Sequence, residues 1–241
     1  WICYAGCGSG NIESLLSKIY SNPLKVASII SQHKIEIEEE PSKNALQLPE
    51  MSFEFKKNAI PKWFLERNFS KLSMTKWGFS YDEKTNSLVL PIYDEHKRLV
   101  GYIKRQKNGL MPKYLYSKGL KVSKIVFGIY SIINTYKPFV CITEGPLNTI
   151  WLDQYGYSSV SLLGLNLSKT QESLISRLPT SEIVLCLDND KPGNEATRKI
   201  YKRLKKYFPV SFGNIPLEYN DVQEVRHIQA IKSILENRRL I

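Results

Sequence analysis

The spacing of apolar positions divides the chain into segments of different rhythm. Behind the Gly-rich turn Cys3-Tyr-Ala-Gly-Cys7-Gly8-Ser9-Gly10, residues Ile12, Leu15, Leu16, Ile19 and Tyr20 recur at the interval of one helix face, and Asn22-Pro23 opens a second short helix. From Glu36 to Pro49 the periodicity dissolves into Glu38-Glu39-Glu40 and a polar, Pro-flanked stretch, which is how a linker reads. Between Met51 and Tyr136 the pattern predicts helices at 61–68 and 72–76, then strands at 88–92 and 99–104 joined as a hairpin through a turn at 94–97. From Phe139 onward strand and helix alternate. Strands are predicted at 140–143, 160–163 and 183–187, and helices at 147–155, 169–178 and 195–207. The second of these helices is opened by the capping box Ser168-Lys-Thr-Gln171. A last strand near Val210 and a helix after Asp221 close the chain.

Such alternation predicts an α/β domain with a mainly parallel sheet flanked by helices, and ligands at the carboxyl ends of its strands. The preceding hairpin region predicts an α+β amino-terminal subdomain. The boundaries follow the changes of rhythm: 1–35, a linker at 36–50, 51–136 and 137–241.

At 241 residues and 42% hydrophobic, the chain can bury a sizeable core. Its most apolar region, 126–142, is broken by Asn134, Lys137 and Pro138, so no membrane span is expected. The 34 Lys and Arg against 23 Asp and Glu leave a net charge of +11, which favours a polyanionic partner such as nucleic acid or nucleotides. Four cysteines are too few and too scattered for a disulfide framework, so a reducing, cytoplasmic setting is expected. Cys141 and Cys186 fall inside predicted core strands. The opening Trp1, with no basic and apolar leader behind it, reads as the start of a segment cut from a longer chain. No His has a ligand-spaced partner.

Candidate chemistry lies at two strand ends. One ends in Glu144-Gly145, the other in Asp188-Asn189-Asp190 followed by Lys191-Pro192-Gly193. In a parallel sheet both emerge at one edge, so three carboxylates converge on a crevice, with Gly145 and Gly193 expected to let the backbone turn sharply. Hard oxygen donors of this kind suit Mg²⁺ or Mn²⁺. An acid after a strand also serves as a helix N-cap, and either Asp188 or Asp190 fits that role. The helix that follows carries Arg198, Lys199, Lys202, Arg203, Lys205 and Lys206, which fits a track for a nucleic-acid backbone and a solvated face equally well.

Strand-Glu-Gly and, some forty residues later, strand-Asp-x-Asp-x-x-Gly resembles the TOPRIM domain. Topoisomerases, DnaG-type primases, nucleases and recombination mediators share that domain, so it implies a site before a reaction. The region before it resembles the amino-terminal half of a DnaG-type primase polymerase domain in four pieces: Trp63-Phe-Leu-Glu-Arg-Asn-Phe69 with Trp77-Gly-Phe-Ser-Tyr81; Leu90-Pro-Ile-Tyr-Asp94 with Leu99-Val-Gly-Tyr-Ile-Lys-Arg105; Pro112-Lys-Tyr-Leu115; and Val126-Phe-Gly128.

The resemblance implies catalytic and metal-ligating roles for Glu144, Asp188 and Asp190. Asp221 joins them as a ligand, where the family carries Asp-Pro-Asp and this chain has Asp221-Val-Gln223. It places Arg105 and Lys113 in the groove beside the metal, in contact with nucleotide or template, and Lys124 at a further basic position. Cys3-x-x-x-Cys7 resembles the second half of the primase zinc ribbon, with three intervening residues instead of two. The first ligand pair would lie upstream of Trp1, so zinc is expected only in a longer chain. The implied activity is template-directed synthesis of RNA primers from ribonucleoside triphosphates on single-stranded DNA, with a replicative helicase as a possible partner and the cytoplasm, or a host's cytoplasm, as the setting. The alternatives are a TOPRIM nuclease, which would turn the same acids on a phosphodiester with water, and a non-catalytic nucleic-acid-binding module. No Gly-x-x-x-x-Gly-Lys-Ser/Thr sequence occurs, so these residues hold no helicase motor of that type.

Overall fold

In the computed structural model, which describes residues 2–3, 8–9, 16, 19 and 55–240, two five-stranded sheets share one apolar core. Ahead of them, β1 (Ile2–Cys3) and β2 (Gly8–Ser9) pair antiparallel, with Cys3 in register with Gly8. Cys7 and the proposed linker at 36–50 lie outside the described residues.

The first sheet is antiparallel in the order β3-β4-β5-β6-β7, formed by Lys56–Lys57, Ser80–Asp82, Ser87–Tyr93, Leu99–Arg105 and Tyr114–Tyr116. β5 and β6 are the expected hairpin. Asp94 closes it, accepting from the backbone N–H groups of His96 and Arg98, while Lys97 takes a positive φ of 62°. Two- and three-residue strands such as β3, β4 and β7 are too short to show alternation, which is why the pattern did not reveal them. The predicted helix at 61–68 is instead a six-residue 3₁₀ helix, Lys62–Arg67, closed by left-handed Asn68. Ser70 then caps α1 (Lys71–Lys76) by accepting from the Ser73 N–H.

The second sheet has the order β12-β11-β10-β8-β9. β8 (Val140–Thr143), β9 (Ser159–Ser161), β10 (Ile183–Cys186) and β11 (Val210–Phe212) run parallel, and the short β12 (Arg239–Leu240) is an antiparallel edge. The helices are α2 (Pro146–Gln154), α3 (Lys169–Ser176, with the expected capping box), α4 (Lys191–Leu204) and α5 (Ile228–Glu236). Strand residues alternate between the two faces, as the period of two requires. Val140, Ile142, Ile183 and Leu185 pack with Leu174, Ile175, Ile200 and Leu204 of α3 and α4. Cys141, Val184 and Cys186 face the opposite cluster, with Leu147, Ile150 and Trp151 of α2 and Ile231 and Ile234 of α5. That cluster continues into Phe64, Phe69, Phe79, Leu88 and Ile103 beneath the first sheet. The architecture is therefore the expected one: an α+β unit followed by a helix-flanked, mainly parallel α/β sheet.

Trp151 ties these layers together. It is 1% exposed, meets Phe69 edge to face at 5.3 Å, and donates its Nε1–H to the Val225 carbonyl at 3.0 Å. Trp151→Ala is expected to cost about 3–5 kcal/mol of stability by urea unfolding. A loss below about 1 kcal/mol would show that the site collapses around the cavity or that this packing is dispensable.

Candidate active site

Because β8 and β10 are parallel neighbours, they deliver their carboxyl ends to the same edge. Glu144 leaves β8 and Asp188 follows β10, both half-buried, while Asp221 comes from the turn ahead of α5. These three acids line one cavity of about 330 Å³. Its other wall comes from the first sheet and the 3₁₀ helix: Lys113, Tyr114, Tyr116 and Arg67.

Partial burial and crowding both disfavour the charged acids. Burial, then the charges of Glu144 and Asp221, push the Asp188 carboxyl up to about 7, with Lys113 acting against them. Glu144 is raised by burial first and then by Asp190, again opposed by Lys113. Burial raises Asp221 too, while the N–H groups of Gln223 and Glu224 that it accepts pull it back. Lys113, exposed on the rim, thus favours the charged form of all three acids.

Several cavity residues escaped the sequence pattern. Asn148, 6% exposed in the first turn of α2, donates to Asp188 Oδ1 at 3.0 Å and fixes that carboxylate. Its one sequence signal is a polar residue amid the apolar Leu147, Ile150 and Trp151. Arg67 donates to Gln223 Oε1 at 2.8 Å and Asn108 Oδ1 at 3.1 Å, linking segments 156 and 41 residues away. It lies inside the Trp63–Phe69 motif, but that motif does not single it out as a site residue.

Other predicted residues sit elsewhere. Asp190 takes the capping role: it is exposed, N-caps α4, and accepts from the Gly193 N–H at 2.7 Å, so α4 starts at Lys191 instead of 195. Its charge still reaches Glu144 and Asp188. Gly193 is needed for close approach, since a Cβ there would lie 2.1 Å from the Asp188 carbonyl oxygen. Gly145 is plain extended backbone at φ −106°, and a Cβ there would meet only the Tyr114 hydroxyl at 3.8 Å, so no sharp turn requires it.

Arg105 does not line the cavity. It is 3% exposed beneath the 106–113 loop, donating to the Gln106 carbonyl at 2.6 Å and Asn108 Oδ1 at 3.0 Å, with its guanidinium 5.3 Å from the Tyr114 ring centre. A β6 residue of odd register points into the core, where the terminal guanidinium nitrogens meet the loop's acceptors while Nε stays buried without a partner. Lys124 is exposed in a 3₁₀ turn (Val122–Lys124) outside the cavity. The side chains of Cys3 and Cys7 lie outside the described residues.

Among the described residues, no three His, Cys, Asp or Glu side chains stand close enough to hold one ion. The cavity nevertheless offers hard oxygen donors with excess negative charge in a space large enough for water. Mg²⁺ commonly binds through one or two carboxylates and keeps several waters. The residues therefore fit a hydrated divalent ion, and not a dry cage of three carboxylates.

Acids at the carboxyl ends of parallel strands, facing a basic wall, make a site suited to a divalent ion and a phosphate. A Toprim-like family model matches residues 141–226. Over 144 residues the chain is 32% identical to the DNA primase of Buchnera aphidicola subsp. Acyrthosiphon pisum, a match covering 57% of this chain and 24% of that protein. It is 27% identical over 201 residues to the DNA primase of Rickettsia felis, covering 78% of this chain and 33% of that one. The chain thus spans about a quarter to a third of the length of these curated relatives. Its fold is similar to that of a DnaG primase catalytic domain solved bound to single-stranded DNA, with a TM-score of 0.62 and 18% identity over 74% of this chain and 71% of that one. The described residues therefore share the fold of DnaG primase catalytic cores, and residues 141–226 within them are Toprim-like. TOPRIM primases as a family use divalent metal ions.

The raised Asp188 carboxyl gives a pH-dependent prediction. Its folded pKa of about 7 lies above the unfolded 3.8, so its contribution to stability is full below about pH 4 and is lost as pH rises through 7. Asp188→Asn, always neutral, keeps that contribution. Without divalent ion the variant is expected to match the wild type near pH 4 and to exceed it at pH 8 by on the order of 1 kcal/mol, allowing for solvent screening. Equal thermal stability at pH 8 would contradict the crowding of charge described above.

Proposed function

We propose that this chain synthesises RNA primers on single-stranded DNA: the 3′-hydroxyl of a ribonucleotide attacks the α-phosphate of an incoming ribonucleoside triphosphate and pyrophosphate leaves. The observation that carries this reading is the single cavity in which three TOPRIM acids face Lys113 and Arg67, in a chain whose relatives are DNA primases.

Asp188, with Glu144 or Asp221, is suited to hold Mg²⁺ or Mn²⁺. Such an ion, when bound, supplies charge neutralisation to the phosphoryl oxygens. Asn148 orients Asp188 through its Nδ2–H bond. Glu144 serves as a ligand or takes the 3′-hydroxyl proton on its carboxylate. Lys113 meets the triphosphate as a point charge, and Arg67 turns its remaining N–H groups to phosphate while Gln223 and Asn108 hold its plane. Arg105 is then a positioning residue: by donating to Asn108 Oδ1 at 3.0 Å and to the Lys113 carbonyl at 3.4 Å it braces the loop that presents Lys113. Asp190 sets the start of α4 and adds negative charge, and Lys124 supplies a peripheral contact to template. The division at 136/137 separates the two walls of the cavity. Zinc held through Cys3 and Cys7 would need a further pair of ligands, and a replicative helicase is a further partner under this reading. The setting is the cytoplasm, or the host cytoplasm for a phage-encoded protein.

The test is incubation with labelled single-stranded DNA, ribonucleotides and Mg²⁺ or Mn²⁺. Products longer than the input are expected, and shortening alone would instead indicate a nuclease. Glu144→Gln and Asp188→Asn should each abolish synthesis with the fold retained by circular dichroism. Lys113→Ala and Arg67→Ala should weaken nucleotide or template binding roughly ten- to a hundredfold, the loss of a charge-assisted phosphate contact of about 1.5–3 kcal/mol. Synthesis surviving in both acid variants would sink the assignment.

A further inference from the structure

The charge of the chain is concentrated in one place that the cavity does not use. Residues 191–206 carry seven Lys and Arg and one Glu, a net +6 out of the chain's +11. They form α4 and the turn after it, which pack on the sheet through Gly193, Ala196, Ile200 and Leu204. The opposite face is exposed and bears Lys191, Arg198, Lys199, Lys202, Lys205 and Lys206. Arg203 is the member turned inward, bonded to Glu172 on α3 and to the carbonyls of Leu167 and Ser168. Among the described residues none of the six exposed cations pairs with a carboxylate.

Helix physics does not explain this face. Cations in the last turn are favoured by the helix dipole, which accounts for Lys202, Lys205 and Lys206, but the effect fades before Arg198 and Lys199. Arg198 and Lys202 are like charges at i, i+4, an arrangement that weakens a helix. A surface left only to solvent would more commonly intersperse both signs. The position of α4 supplies the reason. It starts at Asp190, whose charge is felt by both Glu144 and Asp188, and runs about 21 Å away from that edge at 1.5 Å per residue. Arg198 and Lys202 then lie about 6 Å apart along one side of the helix, with Lys205 and Lys206 in the turn beyond, a spacing suited to successive phosphates of an extended strand.

We propose that the exposed face of α4 is a second nucleic-acid surface, a cationic track that holds the sugar-phosphate backbone of single-stranded DNA beyond the catalytic cavity. It rests on the primase reading only for the identity of the polyanion. It takes no part in the chemistry and reads no sequence, because Lys and Arg on a convex helix face meet phosphate without reaching bases edge-on.

The experiment measures binding of a 30-nucleotide single-stranded DNA across a salt series, without nucleotides or divalent ion, so that its outcome does not depend on synthesis. The variant Arg198→Gln/Lys202→Gln/Lys205→Gln keeps good helix formers at exposed positions. A second variant, Lys118→Gln/Lys121→Gln/Lys169→Gln, removes the same charge from exposed positions elsewhere. The α4 variant is expected to lose roughly ten- to a hundredfold in affinity near 0.1 M salt, and its plot of log K against log salt to become shallower by about 2, corresponding to three lost phosphate contacts at about 0.7 each. Extension of a preformed primer at saturating template should be unchanged. The proposal is overturned if the α4 variant binds like the wild type, if the control variant loses as much, or if the loss appears only with an RNA–DNA hybrid or with anionic lipid vesicles. Should the α4 variant unfold, Lys202→Gln and Lys205→Gln separately must each make the slope shallower by about 0.7.

Discussion

Everything the cavity does depends on the aromatic packing that holds one sheet against the other. Phe69 meets Trp151 edge to face at 5.3 Å, and Trp77 stacks on Phe127 at 5.2 Å. Around them Asp153 of α2 accepts from the Trp77 indole at 2.8 Å and from Lys76 at 2.7 Å. Each contact joins residues far apart in sequence, and together they set where the Lys113 wall stands relative to the acids. The acids alone would repel one another and drift into water. Only a wall fixed at the right distance makes them a site.

The electrostatic balance within that frame is deliberately incomplete. Three half-buried carboxylates are opposed by Lys113 and bonded by Asn148, which leaves them short of compensation. A group left in that condition neutralises itself by taking a proton or attracts a cation. Arg105 shows the contrasting case. Its charge is withdrawn from solvent and its terminal nitrogens are bonded to the loop beside a tyrosine ring, with only Nε left unpaired, so it braces a shape and does not face the cavity. Two cations eight residues apart thus divide the work, one bracing the loop and the other, Lys113, standing at its rim.

Asp190 joins fold and site in a different way. By capping α4 it places the helix directly at the carboxyl end of β10, and Gly193 allows the helix to touch the Asp188 carbonyl. The same contact that ends the strand therefore fixes where Asp188 leaves it, and it aims the basic helix away from the acidic edge. A capping role and an electrostatic role need not exclude each other in one carboxylate.

The sequence by itself determined the longer strands, the helices of the parallel-sheet unit and the edge at which the acids appear. Those features are local: the apolar runs of β5, β8 and β10, the alternation along β6, the Ser168–Gln171 capping box, and parallel strands that place Glu144 and Asp188 at one end. It also revealed Lys113 through a motif, and it left open whether Asp190 was cap or ligand. What only the tertiary structure decided was the partner of each charge. Arg67 reaches Gln223 across 156 residues and Asn148 reaches Asp188 across 40, and neither contact leaves a period or motif. Arg105 could be assigned to the groove by resemblance, yet its burial depends on how the 106–113 loop folds over it. Backbone periodicity is written residue by residue because each side chain sees its own face. The field at a carboxylate is summed over whatever the fold brings near, and that sum exists only once the two sheets have met.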